Sequence, residues 1–151
     1  MPAMADPRES GVRLVVSLYR EFEQVARRTD LSMAQYRTLL YLMGGSRRAG
    51  ELAAANAVTK PTVSAMIAGL RDQGWVEEAV DPEDGRVTKI LLTKSGHDRV
   101  SRFESTLADR LDALLPGADR TELREILHGL YQLHASTREE RLGNVLGAPK
   151  G

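Results

Sequence analysis

The stretch RAGELAAANAVTKPTVSAMIAGLRDQGWVEEAVDPEDGRVTKILLT, residues 48–93, decides the fold. Leu52 and Ala53 sit on a short helix, Asn56 marks a turn and Val58 plugs the corner. Val63, Met66, Ile67 and Leu70 then recur at i, i+3, i+4 and i+7, one buried face of a second helix that shares a core with the first. Thr59 is a good N-cap, and Pro61 lies in the first turn, where a missing N–H costs little. The second helix is therefore predicted to start near Lys60, with Gly74 as its stop and Asn56 taking the left-handed backbone of the turn. Amphipathic helices alone fit an ordinary helical hairpin equally well.

The next segment separates the two readings. Trp75 to Val80 and Val87 to Leu92 read as strands on either side of Asp81-Pro82-Glu83-Asp84-Gly85-Arg86, which carries an Asp-Gly turn signal. A hairpin directly after a candidate recognition helix is a wing. The expected fold is mainly α with a small β-wing, a winged helix-turn-helix over residues 32–92, and the first partner to consider is double-stranded DNA.

Both flanks read as helix. Asp6-Pro7-Arg8-Glu9 has the form of a capping box with Pro at N1, ahead of a stripe of Leu14, Val15, Leu18, Phe22, Val25 and Ala26. Ser32-Met33-Ala34-Gln35 repeats the cap before Tyr36, Leu39, Leu40 and Met43, and Gly44-Gly45 ends that helix. Thr93 caps a long helix with Val100, Phe103, Leu107, Leu111 and Leu114, stopped by Pro116-Gly117. Asp119-Arg120-Thr121-Glu122 opens a last helix carrying Leu123, Ile126, Leu127, Leu130 and Leu133. These stripes, in residues 6–30 and 93–142, must bury against one another, within one chain or between two. The tail 143–151 is expected to fray.

These features resemble the MarR family of bacterial transcription regulators over nearly the whole chain. The carriers are Leu52-Ala53, the run from Thr59-Lys60-Pro61-Thr62-Val63-Ser64 to Leu70, Gly74-Trp75-Val76-Glu77, the Asp81 to Arg86 wing, and Leu92-Thr93-Lys94-Ser95-Gly96. The resemblance implies a homodimer whose terminal helices intertwine into a dimerisation region. It also implies a palindromic operator and, often, a small aromatic or phenolic effector that releases the DNA, so that the chain acts as a repressor.

With Val63, Met66, Ile67 and Leu70 turned inward, the face left for DNA carries Lys60, Pro61, Thr62, Ser64, Ala65 and Ala68. Hydroxyls there contact bases or phosphates, while Ala, Pro and the Thr methyl pack on thymine methyl groups. Two departures from the resembling family leave this surface bare. Ala65 stands where relatives often carry arginine, and Glu83 replaces the first arginine of the wing pattern. Arg86 is then the candidate for minor-groove insertion, with Lys89 beside it and Arg47 and Arg48 at the entrance of the short helix. Arg86 is alternatively held by Asp81 or Asp84 inside the hairpin. For an effector, Tyr19, Arg20, Tyr36 and His97 are the candidate lining residues, although they form no motif.

Charge does not announce nucleic acid. The 151 residues balance 21 Lys and Arg against 21 Asp and Glu. Residues 45–94 carry seven of each sign, positive at 47, 48, 60, 71, 86, 89 and 94, and acidic at 51, 72, 77, 78, 81, 83 and 84. DNA binding must come from arrangement, with few phosphates neutralised per protomer and a modest salt slope. The alternative is a winged-helix protein-interaction module with weak or no DNA binding. The absence of cysteine excludes disulfides, thiolate metal sites and a thiol redox switch. His97, His128 and His134 are scattered without metal spacing, and no phosphate loop or nucleophile context occurs. An enzyme, a cofactor or a metal is thus not expected. With a polar start, Met1 to Ser10, and no membrane-length apolar run, the expected location is the cytoplasm.

Overall fold

The computed structural model describes residues 6–114, 121, 122 and 124–134. Five helices and a two-stranded sheet follow in the order α1 (Pro7–Arg27), α2 (Met33–Met43), α3 (Ala49–Asn56), α4 (Lys60–Asp72), β1 (Val76–Val80), β2 (Thr88–Leu92) and α5 (Lys94–Leu114). Residues 121, 122 and 124–134 are also helical. The chain divides into two compact units, Met1–Leu111 and Asp112–Gly151. The architecture is the expected one, mainly α with a small β-wing.

Local chemistry sets the element boundaries. Asp6 Oδ1 accepts the Arg8 N–H at 2.9 Å and starts α1; Glu9, expected to complete a capping box, instead lies 3.5 Å from Arg13. Ser32 and Gln35 do form the full box at the start of α2, satisfying two otherwise orphaned donors at 2.9 and 3.2 Å. Thr59 accepts from Thr62 N–H, so α4 opens at Lys60 as predicted. Gly74 at φ +73° follows its end, a conformation that costs glycine no Cβ clash.

The core gathers where these elements meet. Leu31, Leu39, Leu52, Val63, Leu70, Val100 and Phe103 are fully buried, joined by Leu42, Ile67, Trp75, Val76 and Ile90. Each such large apolar side chain contributes roughly 1.5–3 kcal/mol on burial. The inner face of α2 differs from the expected stripe: Leu39 and Tyr36 face inward, but Leu40 and Met43 are exposed, and Leu42 and Thr38 take the buried positions. The winged core wraps α2 from the Leu42 side, which periodicity of one helix does not reveal. At the root of the hairpin, Thr93 Oγ1 donates to Gly74 O at 2.6 Å and accepts the Gly96 N–H at 3.0 Å. A Cβ on Gly96 would sit 2.2 Å from Trp75 O, so α5 starts in direct backbone contact with the wing base.

The α1 stripe divides in two. Ala26 is buried and Phe22 and Val25 are partly so, whereas Leu14 and Val15, with Val12, Val16 and Tyr19, remain exposed. On α5, Val100, Phe103 and Leu107 are buried and Leu111 and Leu114 only partly so. In the last helix Ile126, Leu127, Leu130 and Leu133 are all exposed. The expected stop at Pro116-Gly117, the cap residues Asp119 and Arg120, Leu123 and the tail 143–151 lie outside the described residues.

Candidate nucleic-acid interface

The turn between α3 and α4 is built differently from the sequence expectation. Asn56 stays helical and turns its amide inward, donating to Leu52 O at 2.9 Å and to Thr38 Oγ1 at 3.0 Å. Thr38 Oγ1 in turn donates to Ala34 O at 3.0 Å, so a buried hydroxyl pins α2 to α3. With Asn56 engaged, Ala57 takes the left-handed conformation at φ 53° and ψ 43°, and Val58 N–H closes the corner on Ala53 O at 3.0 Å. The Thr38–Asn56 pair escaped sequence reading because a threonine in a helix carries no mark of a partner 18 residues away.

From this turn α4 projects with the predicted polarity. Val63, Ile67 and Leu70 are buried and Met66 packs against the core, while Lys60, Pro61, Thr62, Ser64 and Ala65 are exposed and Ala68 is half-buried. The Thr59 and Thr62 hydroxyls lie 2.8 Å apart at the helix entrance. Four α4 residues, Ser64, Ile67, Ala68 and Arg71, also line a groove of about 330 Å³ shared with Ala49, Glu78, Thr88 and Ile90 of the wing side. The outward face is small and weakly polar, open to close approach by a ligand backbone.

The wing is antiparallel, with Val76 opposite Leu92 and Val80 opposite Thr88. Its tip is the connection between Val80 and Thr88, which includes the expected run Asp81 to Arg86. Gly85 does not adopt positive φ; the loop runs from Asp81 to Val87, closed by Asp81 N–H to Val87 O at 2.8 Å and Val87 N–H to Asp84 O at 2.9 Å. Asp81 Oδ1 and Asp84 Oδ1 accept the N–H groups of Glu83 and Arg86, so two carboxylates hold the loop.

The cations of this region fall into two groups. Lys89 Nζ is 2.9 Å from the buried Asp81 carboxylate, held inside the hairpin and not extended toward a ligand. The bond from Lys89, then the Glu83 N–H and the nearby Arg48 charge, hold the Asp81 carboxyl below its ordinary range. Arg47 is likewise engaged. Its backbone exchanges two hydrogen bonds with Ile90 at 3.0 and 2.7 Å, and its guanidinium donates to Ser46 O and Gly44 O and stacks on Tyr41 at 5.0 Å. The expectation that Arg47 and Lys89 reach outward is thus corrected by contacts that link α2 to the wing and the wing to itself. Arg48, Lys60 and Arg86 are exposed, and their side chains form no ion pair among the described residues. Arg86 is therefore not held by Asp81 or Asp84 through its guanidinium; only its backbone N–H meets Asp84.

The four effector candidates are not brought together. Tyr19 and Arg20 are exposed on α1, and His97 is exposed in the first turn of α5. Tyr36 is half-buried, donating to Glu104 Oε1 at 2.9 Å with its ring 5.0 Å from Phe103. Burial, that hydrogen bond and the Glu104 charge push its phenol above the ordinary tyrosine range, so it stays protonated. None of the four lines the groove of about 430 Å³ beside Ala26 and Met33, or a cavity of about 530 Å³ beside Trp75 and Arg99. No described helix is long and apolar enough to cross a membrane.

Comparison with known proteins agrees with this geometry. Residues 29–87 match the model of the MarR family. The chain is 21% identical over 108 residues to the HTH-type transcriptional repressor IacR of Pseudomonas putida, a match covering 71% of this chain and 65% of the relative. The chain thus spans slightly less than two thirds of that relative's length. It is 29% identical over 113 residues to an HTH-type transcriptional regulator of Mycobacterium tuberculosis, covering 74% of this chain and 78% of the relative. Among solved structures, a mutant of MepR from S. aureus bound to an oligodeoxyribonucleotide superposes with a TM-score of 0.63 at 24% identity, covering 87% of this chain and 99% of that one. A transcriptional regulator of Thermotoga maritima gives 0.68 at 22%, covering 89% and 96%. With α4 and its wing arranged as described, the chain has a winged-helix fold, and its residues 29–87 are similar to the MarR family.

Proposed function

We propose that this chain is a homodimeric, sequence-specific DNA-binding transcriptional regulator of the cytoplasm, a repressor of a palindromic operator released by a small aromatic or phenolic effector. The observation that carries the DNA reading is the outward face of α4, a capped helix end with Lys60, Pro61, Thr62, Ser64 and Ala65 exposed beside a wing whose Arg86 is unpaired among the described residues. In this reading α4 enters the major groove and Arg86 approaches the minor groove, with Arg48 on phosphate and Ala68 at the edge of the contact. Arg47 and Lys89 act one step back, holding the wing. Homodimerisation is supported by the open apolar face of α1, which a second copy would cover. The repressor role is supported by the likeness to the Pseudomonas putida repressor.

Selection of bound sequences from random DNA tests the reading. Palindromic sites with half-sites about one helical turn apart are expected. Failure to enrich any sequence at low salt, where electrostatic binding is strongest, sinks the DNA reading and leaves the bare surface of Ala65 and Glu83 to a protein partner. Arg86→Ala is expected to weaken operator binding and reduce the salt slope by about one. Unchanged affinity and slope would remove Arg86 from the interface.

A further inference from the structure

We propose that the cavity between the α1–α2 turn, the end of α4 and the middle of α5 binds a small organic dianion through carboxylate or phosphate groups. It is an open groove of about 530 Å³ lined by Arg28, Thr29, Asp30, Gln73, Trp75, Arg99, Arg102 and Thr106. That volume lies within the range of small-ligand sites.

Its charge is unbalanced. Arg99 is only 9% exposed, a buried cation beside Val100 and one turn before Phe103 on the otherwise apolar side of α5. One of its terminal nitrogens meets Asp30, whose side chain is 67% exposed. Its guanidinium also lies 5.4 Å from the Trp75 ring centre and 5.9 Å from that of Phe103, contacts that fix its plane. Arg28 and Arg102 are exposed, line the same cavity, and form no ion pair among the described residues. Three guanidinium groups against one carboxylate leave a formal excess of two positive charges. Two arginines of α1, by contrast, have carboxylate partners, Arg13 with Glu9 and Arg27 with Glu23.

Guanidinium forks match carboxylate and phosphate oxygens in pairs, and two unpaired forks beside a buried third suit a ligand carrying two negative charges. Gln73, Thr29 and Thr106 supply neutral donors and acceptors for its remaining polar groups. The indole of Trp75 gives the cavity one flat wall. Gln73 caps α4 and Trp75 precedes β1, so a bound anion touches the base of both elements proposed to read DNA. The site shares no residue with Tyr19, Arg20, Tyr36 and His97.

Trp75 is the single tryptophan of the chain, which makes its fluorescence a reporter of this cavity. The full chain, without DNA, is titrated with succinate, citrate and inorganic phosphate at constant ionic strength maintained with chloride. At least one of these multivalent anions is expected to change the emission saturably, with half-saturation below about 10 mM. Tighter carboxylates or tighter phosphate identifies the class. Arg28→Glu and Arg102→Glu, both surface changes, are expected to weaken binding by at least about tenfold, and Arg37→Glu on α2 serves as the net-charge control. No saturation with any of the three anions overturns the proposal. So does binding that the two variants leave intact, or that Arg37→Glu weakens equally. Because DNA is absent, the result stands apart from the outcome of the operator experiment.

Discussion

Helix α4 and the first half of α1 both carry apolar stripes and meet different fates. In α4, Val63, Ile67 and Leu70 disappear into a core built by α2, α3, Trp75 and Ile90. In the first half of α1, Val12, Leu14, Val15 and Val16 remain more than half exposed. The difference lies in what the same chain provides opposite each helix. α4 has two helices and a hairpin within 30 residues on either side, whereas the stripe of α1 finds partners only from Phe22 onward. An amphipathic stripe therefore states that a helix must be covered, without stating by which chain.

The sharpest way to break this comparison is to cut both stripes. Leu70→Ala is expected to cost about 3 kcal/mol in chemical denaturation at every protein concentration, because its cavity opens inside one chain. Leu14→Asp is expected to act through association, weakening dimerisation at least about 100-fold in sedimentation equilibrium, with a stability loss that shrinks on dilution. A Leu14→Asp protein that keeps the mass and stability of the parent would mean that α1 is covered by nothing.

Smaller changes probe how the α4 side is assembled. Asn56→Ala removes the donor shared by Thr38 and Leu52, and a loss of about 1–2 kcal/mol is expected by the same denaturation. A neutral result would show that the buried Thr38 hydroxyl is satisfied without Asn56. Ala57→Gly relieves the left-handed strain beside it and is expected to raise stability by about 0.5–1 kcal/mol; a lower melting temperature would contradict this. The smallest effect is confined to acid. The Asp81 carboxyl is depressed in the fold, so its contribution is present above its ordinary pKa and lost as pH falls through the folded value. Asp81→Asn is expected to flatten the acid limb of the stability curve without adding a new transition at neutral pH, and an unaltered limb would place acid sensitivity elsewhere.

Much of the fold was legible before any coordinates. Thr59 and Pro61 placed the start of α4 near Lys60 and Gly74 placed its stop within two residues of Asp72, since capping and stopping are chemistry of neighbouring atoms. The site was legible only in part. The outward set Lys60, Pro61, Thr62, Ser64 and Ala65 follows from helical geometry once the inner face is known. Arg47 and Lys89 read as surface cations, yet one is stacked on Tyr41 and the other tied to Asp81. Arg99 gave the one usable warning, an arginine on the buried side of α5 next to Val100 and before Phe103.

Sequence alone determined the elements, their order and the wing, because hydrophobic periods and caps act over a few residues. Tertiary structure decided which charges are spent and which stripes stay open. Arg99 meets Asp30 across 69 positions and Asn56 meets Thr38 across 18, and no local pattern encodes such pairs. Long-range contacts are selected by the packing of whole elements, and only that packing leaves Arg86, Arg28 and Arg102 facing outward without partners among the described residues.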